Sequence, residues 1–71
     1  AGGLDVEAER RRLQGALAKA EGELARAERQ LANERFVQRA PAHLVDEERE
    51  KARRFRAECD ALRARLAELQ G

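Results

Sequence analysis

The chain has no tryptophan, tyrosine or methionine, and only two phenylalanines in 71 residues. Ligand pockets are normally lined by apolar and aromatic side chains, so this scarcity argues against a small-molecule enzyme. There is one cysteine, Cys59. It has no internal disulfide partner, which suits a reducing, cytoplasmic setting. No apolar run approaches the ~18 residues that cross a bilayer, and no signal-peptide pattern is present, so no membrane partner is expected. An excess of one charge is lacking too. Fifteen basic residues nearly cancel fourteen acidic ones, leaving a formal charge of +1. Net charge alone therefore cannot grip a polyanion; any contact with nucleic acid must come from the local placement of Arg and Lys.

What is abundant is Ala, Glu, Arg and Leu, with 41% charged residues, the composition of long helices and coiled coils. One seam reads Val6, Arg10, Leu13, Leu17, Ala20, Leu24, Ala27, Leu31, in steps that alternate four and three. A second reads Val45, Glu48, Ala52, Phe55, Cys59, Leu62, Leu66, Leu69. Such spacing keeps each seam on one side of a helix and favours left-handed coiling against a partner. Between the seams, Asn33 is a stop signal. Pro41 suits the first turn of a helix but not the interior of one. Asp5 is a candidate cap for the first helix, and Asp46-Glu47-Glu48 sits near the start of the second, where the helix dipole favours acid.

The expected fold is all-α, an antiparallel two-helix coiled-coil hairpin, since a short connection makes antiparallel neighbours. Residues 5–33 form the first helix, 34–40 the turn and 41–70 the second helix. Residues 1–4 read as a linker or an added remnant. Ala1-Gly2-Gly3 lacks a starting Met, and the chain looks like a piece of something larger whose remainder lies on the N-terminal side.

Two registers are compatible with the seams. The first sets Leu17 opposite Phe55, Ala20 opposite Ala52, Leu13 opposite Cys59 and Val6 opposite Leu66. Its flanks are all attractive: Glu21 with Arg49, Glu7 with Arg63, Glu23 with Lys51 and Glu9 with Arg65. It also leaves the chain ends level, at the cost of Leu24 facing Glu48 and Arg10 facing Leu62. The second, one heptad away, sets Leu24 opposite Phe55 and Leu17 opposite Leu62. It keeps Glu21–Arg56 and Glu28–Arg49 but sets Glu23 against Glu58. Exposed pairs are worth only ~0.2–1 kcal/mol each. The first register is the expected one.

The tip carries the most specific signal. Leu31, Asn33, Phe36, Val37, Ala40 and Pro41, followed by the apolar pair Leu44 and Val45 and an acidic-basic helix start, resemble the L-x-N-x-x-F-V-x-x-A-P turn in the arm of bacterial-type valyl-tRNA synthetases. The stretch Glu7-Ala8-Glu9-Arg10-Arg11-Arg12-Leu13 resembles the entry to that arm. The resemblance covers nearly the whole chain. It implies a C-terminal coiled-coil appendage of a class I synthetase that reaches the outer corner of tRNA, where the D and T loops meet. It further implies valine-specific tRNA and the remainder of the synthetase as partners. ATP would serve the parent enzyme, while these residues would carry no cofactor and no catalysis of their own.

The residues offer a candidate RNA surface independently. Arg12, Lys19 and Arg26 recur every seven residues along one flank of the first helix. Beside them runs a smooth outward stripe of Ala8, Arg11, Gly15, Ala18, Gly22, Ala25, Arg29 and Ala32. Glycine inside an exposed helix costs ~1 kcal/mol relative to Ala, so Gly15 and Gly22 point either to close approach of a flat RNA surface or to a GC-rich gene with a solvated face. Arg29 on that stripe, Arg35 and Arg39 at the tip, and Arg53 and Arg54 on the second helix complete the candidates. Folded RNA is read largely through backbone and shape.

Phe36 and Val37 fall outside the first heptad register and read as an apolar plug packed under Leu44 and Leu31, with base stacking by Phe36 as the alternative. Arg56 is on the seam edge and reads as structural. His43 has no companion ligands for a metal, and Cys59 is a small core residue. The carboxylates lie on solvated flanks with no cleft, so none is assigned to catalysis. The competing readings are a structural or protein-docking hairpin, and weak self-association through the Ala/Gly face.

Overall fold

The computed structural model describes residues 2–70, with side-chain surroundings from Asp5 to Gln70. Three helices follow one another: α1 over Gly2–Ala32, α2 over Glu34–Arg39 and α3 over Ala42–Gln70. Ala, Leu, Glu and Arg are the strongest helix formers, which is why two helices run so far unbroken. α1 begins at Gly2, inside the stretch read as a linker, so Asp5 lies in its first turn rather than at its cap. The acid still opposes the helix dipole there. Ala1 lies outside the described residues. α1 and α3 pack along each other, and the molecule measures 55 × 15 × 13 Å.

The tip is more ordered than a plain turn. Asn33 leaves the helical region at φ −80°, ψ 107°. Its Oδ1 accepts from the backbone N–H groups of Arg35 at 3.1 Å and Phe36 at 3.4 Å. The residue that stops α1 is therefore the N-cap of α2. α2 ends at Ala40, whose N–H donates to the Phe36 carbonyl at 2.9 Å. Ala40 is extended, at φ −71° and ψ 152°, because the ring of Pro41 excludes the helical region for its predecessor. The Pro41 carbonyl then accepts from Leu44 N–H at 3.0 Å and Val45 N–H at 3.4 Å, opening α3.

Three ion pairs cross between the long helices and identify the register. Arg56 meets Glu28 at 3.1 Å, Arg63 meets Glu21 at 2.9 Å and Arg65 meets Glu9 at 3.4 Å. In the first register Arg56 and Arg63 would each lie twelve residues along the rod from these partners, about 18 Å at 1.5 Å per residue. No Arg–Glu pair spans that. A slide of one heptad the other way separates Arg65 from Glu9 by the same length. Only the register with Leu24 level with Phe55 and Leu17 level with Leu62 brings all three pairs within reach. This overturns the first register, and with it Glu21–Arg49, Glu7–Arg63 and Glu23–Lys51; Glu9–Arg65 survives. The pairs formed also differ from Glu21–Arg56 and Glu28–Arg49. In this register each of the three pairs joins residues about five positions apart along the rod, roughly 7.5 Å at 1.5 Å per residue. Long side chains span that gap, with Arg63–Glu21 and Arg56–Glu28 displaced in one direction and Arg65–Glu9 in the other.

The core supplies the reason. The buried residues are Leu13, Ala20, Ala27, Val45, Ala52 and Cys59. The observed register sets small against small, Ala20 with Cys59 and Ala27 with Ala52, so the backbones approach closely. Leu17, Leu24, Phe55 and Leu62 splay to the sides and remain half-buried. It also moves the two polar seam residues outward: Arg10 faces Leu69 and Glu48 faces Leu31, near the ends of the overlap. Continuous apolar burial, at about 25 cal/mol per Å², outweighs a few exposed ion pairs. The slide carries the start of α3 past the end of α1, into the space that α2 fills. Val45 is buried there, 4% exposed, and Phe36 and Val37 are half-buried. Leu44 instead stays 39% exposed, so Val45, not Leu44, is the residue that the tip covers.

Candidate nucleic-acid interface

Seven cations are engaged by an acid three residues earlier on the same helix. Arg12 donates to Glu9 through Nε at 3.0 Å and Nη2 at 2.6 Å. Arg26 lies 3.7 Å from Glu23, Arg49 3.3 Å from Asp46, Lys51 3.2 Å from Glu48 and Arg63 3.5 Å from Asp60. Arg10 pairs with Glu7 and Arg53 with Glu50. Two more, Arg56 and Arg65, pair only across the hairpin. Among the described residues, the other six make no ion pair: Arg11, Lys19, Arg29, Arg35, Arg39 and Arg54.

This divides the candidate RNA contacts. Arg12, Arg26 and Arg53 are held by carboxylates, and the bonds perturb both partners. Hydrogen bonding to Arg12, reinforced by the charges of Arg12 and Arg65, holds the Glu9 carboxyl below its usual range. The Arg53 bond does the same for Glu50, with the charge of Arg54 adding to it. Arg12, Arg53 and Arg63 are each held above the ordinary guanidinium value, chiefly by the bond to Glu9, Glu50 and Glu21 respectively. Lys19, Arg29, Arg35, Arg39 and Arg54 are uncommitted. Arg11, which heptad position does not mark as a candidate, is also exposed and makes no ion pair among the described residues. The missed signal is simple: each of the six uncommitted cations lacks an acid three residues before it.

Two groupings result. Arg29 lies on the last turn of α1, with Arg35 and Arg39 one turn apart on α2, so three exposed guanidinium groups stand at the tip end. Arg54 lines a separate surface with Glu47, Glu50 and Lys51, and Lys19 lies on the flank where Glu23 and Glu58 line one groove. The Arg54 guanidinium sits 5.6 Å from the centre of the Phe55 ring. That flank contains an open groove of about 520 Å³ lined by Ala16, Lys19, Ala20, Glu23, Phe55 and Glu58. The outward stripe is as open as its composition suggests, because a Cβ added at Gly15 or Gly22 meets nothing within 4 Å. His43 is exposed. No group of three or more His, Cys, Asp or Glu among the described residues is placed to hold a metal ion. No described helix is long and apolar enough to cross a membrane. Cys59 is fully buried, level with Ala20 rather than Leu13.

A stiff helical hairpin with free cations at its tip and along one flank is the form of a polyanion-binding arm. The chain belongs to the family described as the valyl tRNA synthetase tRNA binding arm, which it matches over residues 5–70. It is 49% identical over 97% of its length to the valine–tRNA ligase of Mycolicibacterium paratuberculosis. It is 43% identical over 96% to that of Bacillus subtilis and 45% identical over 94% to that of Geobacillus stearothermophilus. The chain spans 8% of the length of these relatives. No solved structure matches it.

Proposed function

We propose that this hairpin is the tRNA-binding arm of a cytoplasmic, ATP-dependent valine–tRNA ligase, that it contacts the outer corner of valine-specific tRNA where the D and T loops meet, and that it orients the tRNA for aminoacylation without chemistry of its own. The match of the whole hairpin to a tRNA-binding arm carries this reading. The uncommitted cations support it. RNA gains little from a cation that must first leave a carboxylate, whereas Lys19, Arg29, Arg35, Arg39 and Arg54 need only exchange water for phosphate. With a formal charge of +1, the arm binds weakly alone and acts by tethering, which raises the effective concentration of the second contact.

Chemical footprinting tests this. A ligase carrying this arm is expected to protect the D and T loops, and the same ligase without residues 5–70 to lose that protection while keeping protection elsewhere. Loss confined to the anticodon or acceptor end would overturn the reading.

A further inference from the structure

We infer that the groove lined by Ala16, Lys19, Ala20, Glu23, Phe55 and Glu58 is a subsite for an unpaired guanine base of the bound RNA. The inference rests on the RNA-binding reading above and goes beyond it by naming the base and the groups that read it. The register that buries the apolar seam brings Glu23 and Glu58, two like charges, to one groove. Among the described residues Glu58 makes no ion pair, and neither does Lys19, although both line that groove. Glu23 has only Arg26, at 3.7 Å. Glu58 is one of five carboxylates among the described residues, with Asp5, Glu34, Glu47 and Glu68, that make no ion pair, and of these it is the one that lines a groove together with an uncommitted cation and an aromatic side chain.

The pair matches one base. The Watson–Crick edge of guanine presents two adjacent donors, N1–H and the N2 amino group, followed by the O6 acceptor. The Glu58 carboxylate accepts from both donors, and the Lys19 ammonium donates to O6. Adenine, cytosine and uracil lack two adjacent donors on that edge. Phe55, half-buried at the groove wall, supplies the aromatic surface on which single-stranded bases are held. Ala16 and Ala20 leave the space beside it unfilled.

The test uses a complete ligase carrying this arm and tRNA transcripts in which each unpaired outer-corner guanosine is replaced in turn by inosine, which removes only the N2 amino group. At one position inosine is expected to weaken binding about ten-fold or more, the loss of a hydrogen bond to a charged group. Glu58→Gln is expected to weaken binding of the guanosine transcript similarly and to make inosine at that position silent. Inosine without effect at every position, or an effect that simply adds to that of Glu58→Gln, overturns the subsite while outer-corner protection by the unaltered ligase leaves the parent reading standing. Absence of that protection overturns both.

Discussion

The register is open to a direct chemical test, because Cys59 is the only cysteine. Ala20 and Cys59 are buried and level with each other, so Ala20→Cys places two thiols in one layer of the core. In the alternative register Leu13 takes that position and Ala20 moves one heptad, about 10 Å, along the rod. A disulfide tolerates no such offset, since it requires Cα atoms roughly 4.4–6.8 Å apart. Refolding Ala20→Cys under mild oxidation is expected to give a monomeric cross-linked species, resolved by mass and by non-reducing mobility. Leu13→Cys is expected to remain mostly reduced or to form cross-chain dimers. The bridge closes a loop of about forty residues, which is worth ~4 kcal/mol on the chain-entropy account. For a domain of this size each kcal/mol moves Tm by about 4–8 °C, so the oxidised protein should melt some ~15–30 °C above the reduced one. Faster and more complete cross-linking of Leu13→Cys than of Ala20→Cys would refute the register and every pairing drawn from it.

Other predictions follow from the same geometry. Arg10 sits on the seam with its Nε buried and without a hydrogen-bond partner, so Arg10→Leu is expected to raise stability by ~1–3 kcal/mol in denaturant titrations; a lower midpoint would show that its pair with Glu7 matters more. Asn33→Ala removes the cap of α2 and should cost ~0.5–2 kcal/mol, with hydrogen exchange rising first at the tip. Gly15→Ala and Gly22→Ala should each stabilise by ~1 kcal/mol, since nothing lies within 4 Å; Gln at both positions with unchanged RNA affinity would defeat close approach along the stripe. Glu9 and Glu50 have carboxyl groups held below their usual range in the folded state. Their contribution is therefore present at neutral pH and lost as pH falls through and below the ordinary carboxylate range, so the acid-induced drop in Tm should shrink when both are replaced by Gln.

The hairpin itself was legible because heptad spacing and a single proline constrain the chain at every residue. The register was not. Exposed charge pairs and level ends both favour the other register, and neither decides it. Level ends assumed that residues 34–40 form a plain turn. Asn33 was read only as a stop for α1, whereas its side chain also starts a new helix. α2 then occupies the space that lets α3 begin beyond α1. Charge matching counted residues opposite each other at equal height. Long side chains on antiparallel helices instead meet across an offset, as Arg63 and Glu21 do. The criterion that decides is where Arg10 and Glu48 fall. One register sets them against Leu62 and Leu24 within the apolar stretch; the observed one moves both toward the ends of the overlap.

The interface shows a different mixture. Heptad position says where a cation points but not whether it is occupied. Arg12, Lys19 and Arg26 share one flank and one period, yet Arg12 and Arg26 have Glu9 and Glu23 three residues earlier, while Lys19 has Ala16. That offset brings acid and base together on a helix surface. It was readable from the chain, and it separates all seven locally paired cations from the eight that are not. Folding was needed only to split those eight, because Arg56 and Arg65 find partners on the opposite helix. If RNA contacts the uncommitted cations, Lys19→Ala and Arg35→Ala should each lower the salt slope of tRNA binding by about 0.7–0.9. Arg12→Ala should change it little. An equal loss of slope for all three would mean that the surface carboxylates yield their partners freely and that occupancy does not select the contacts.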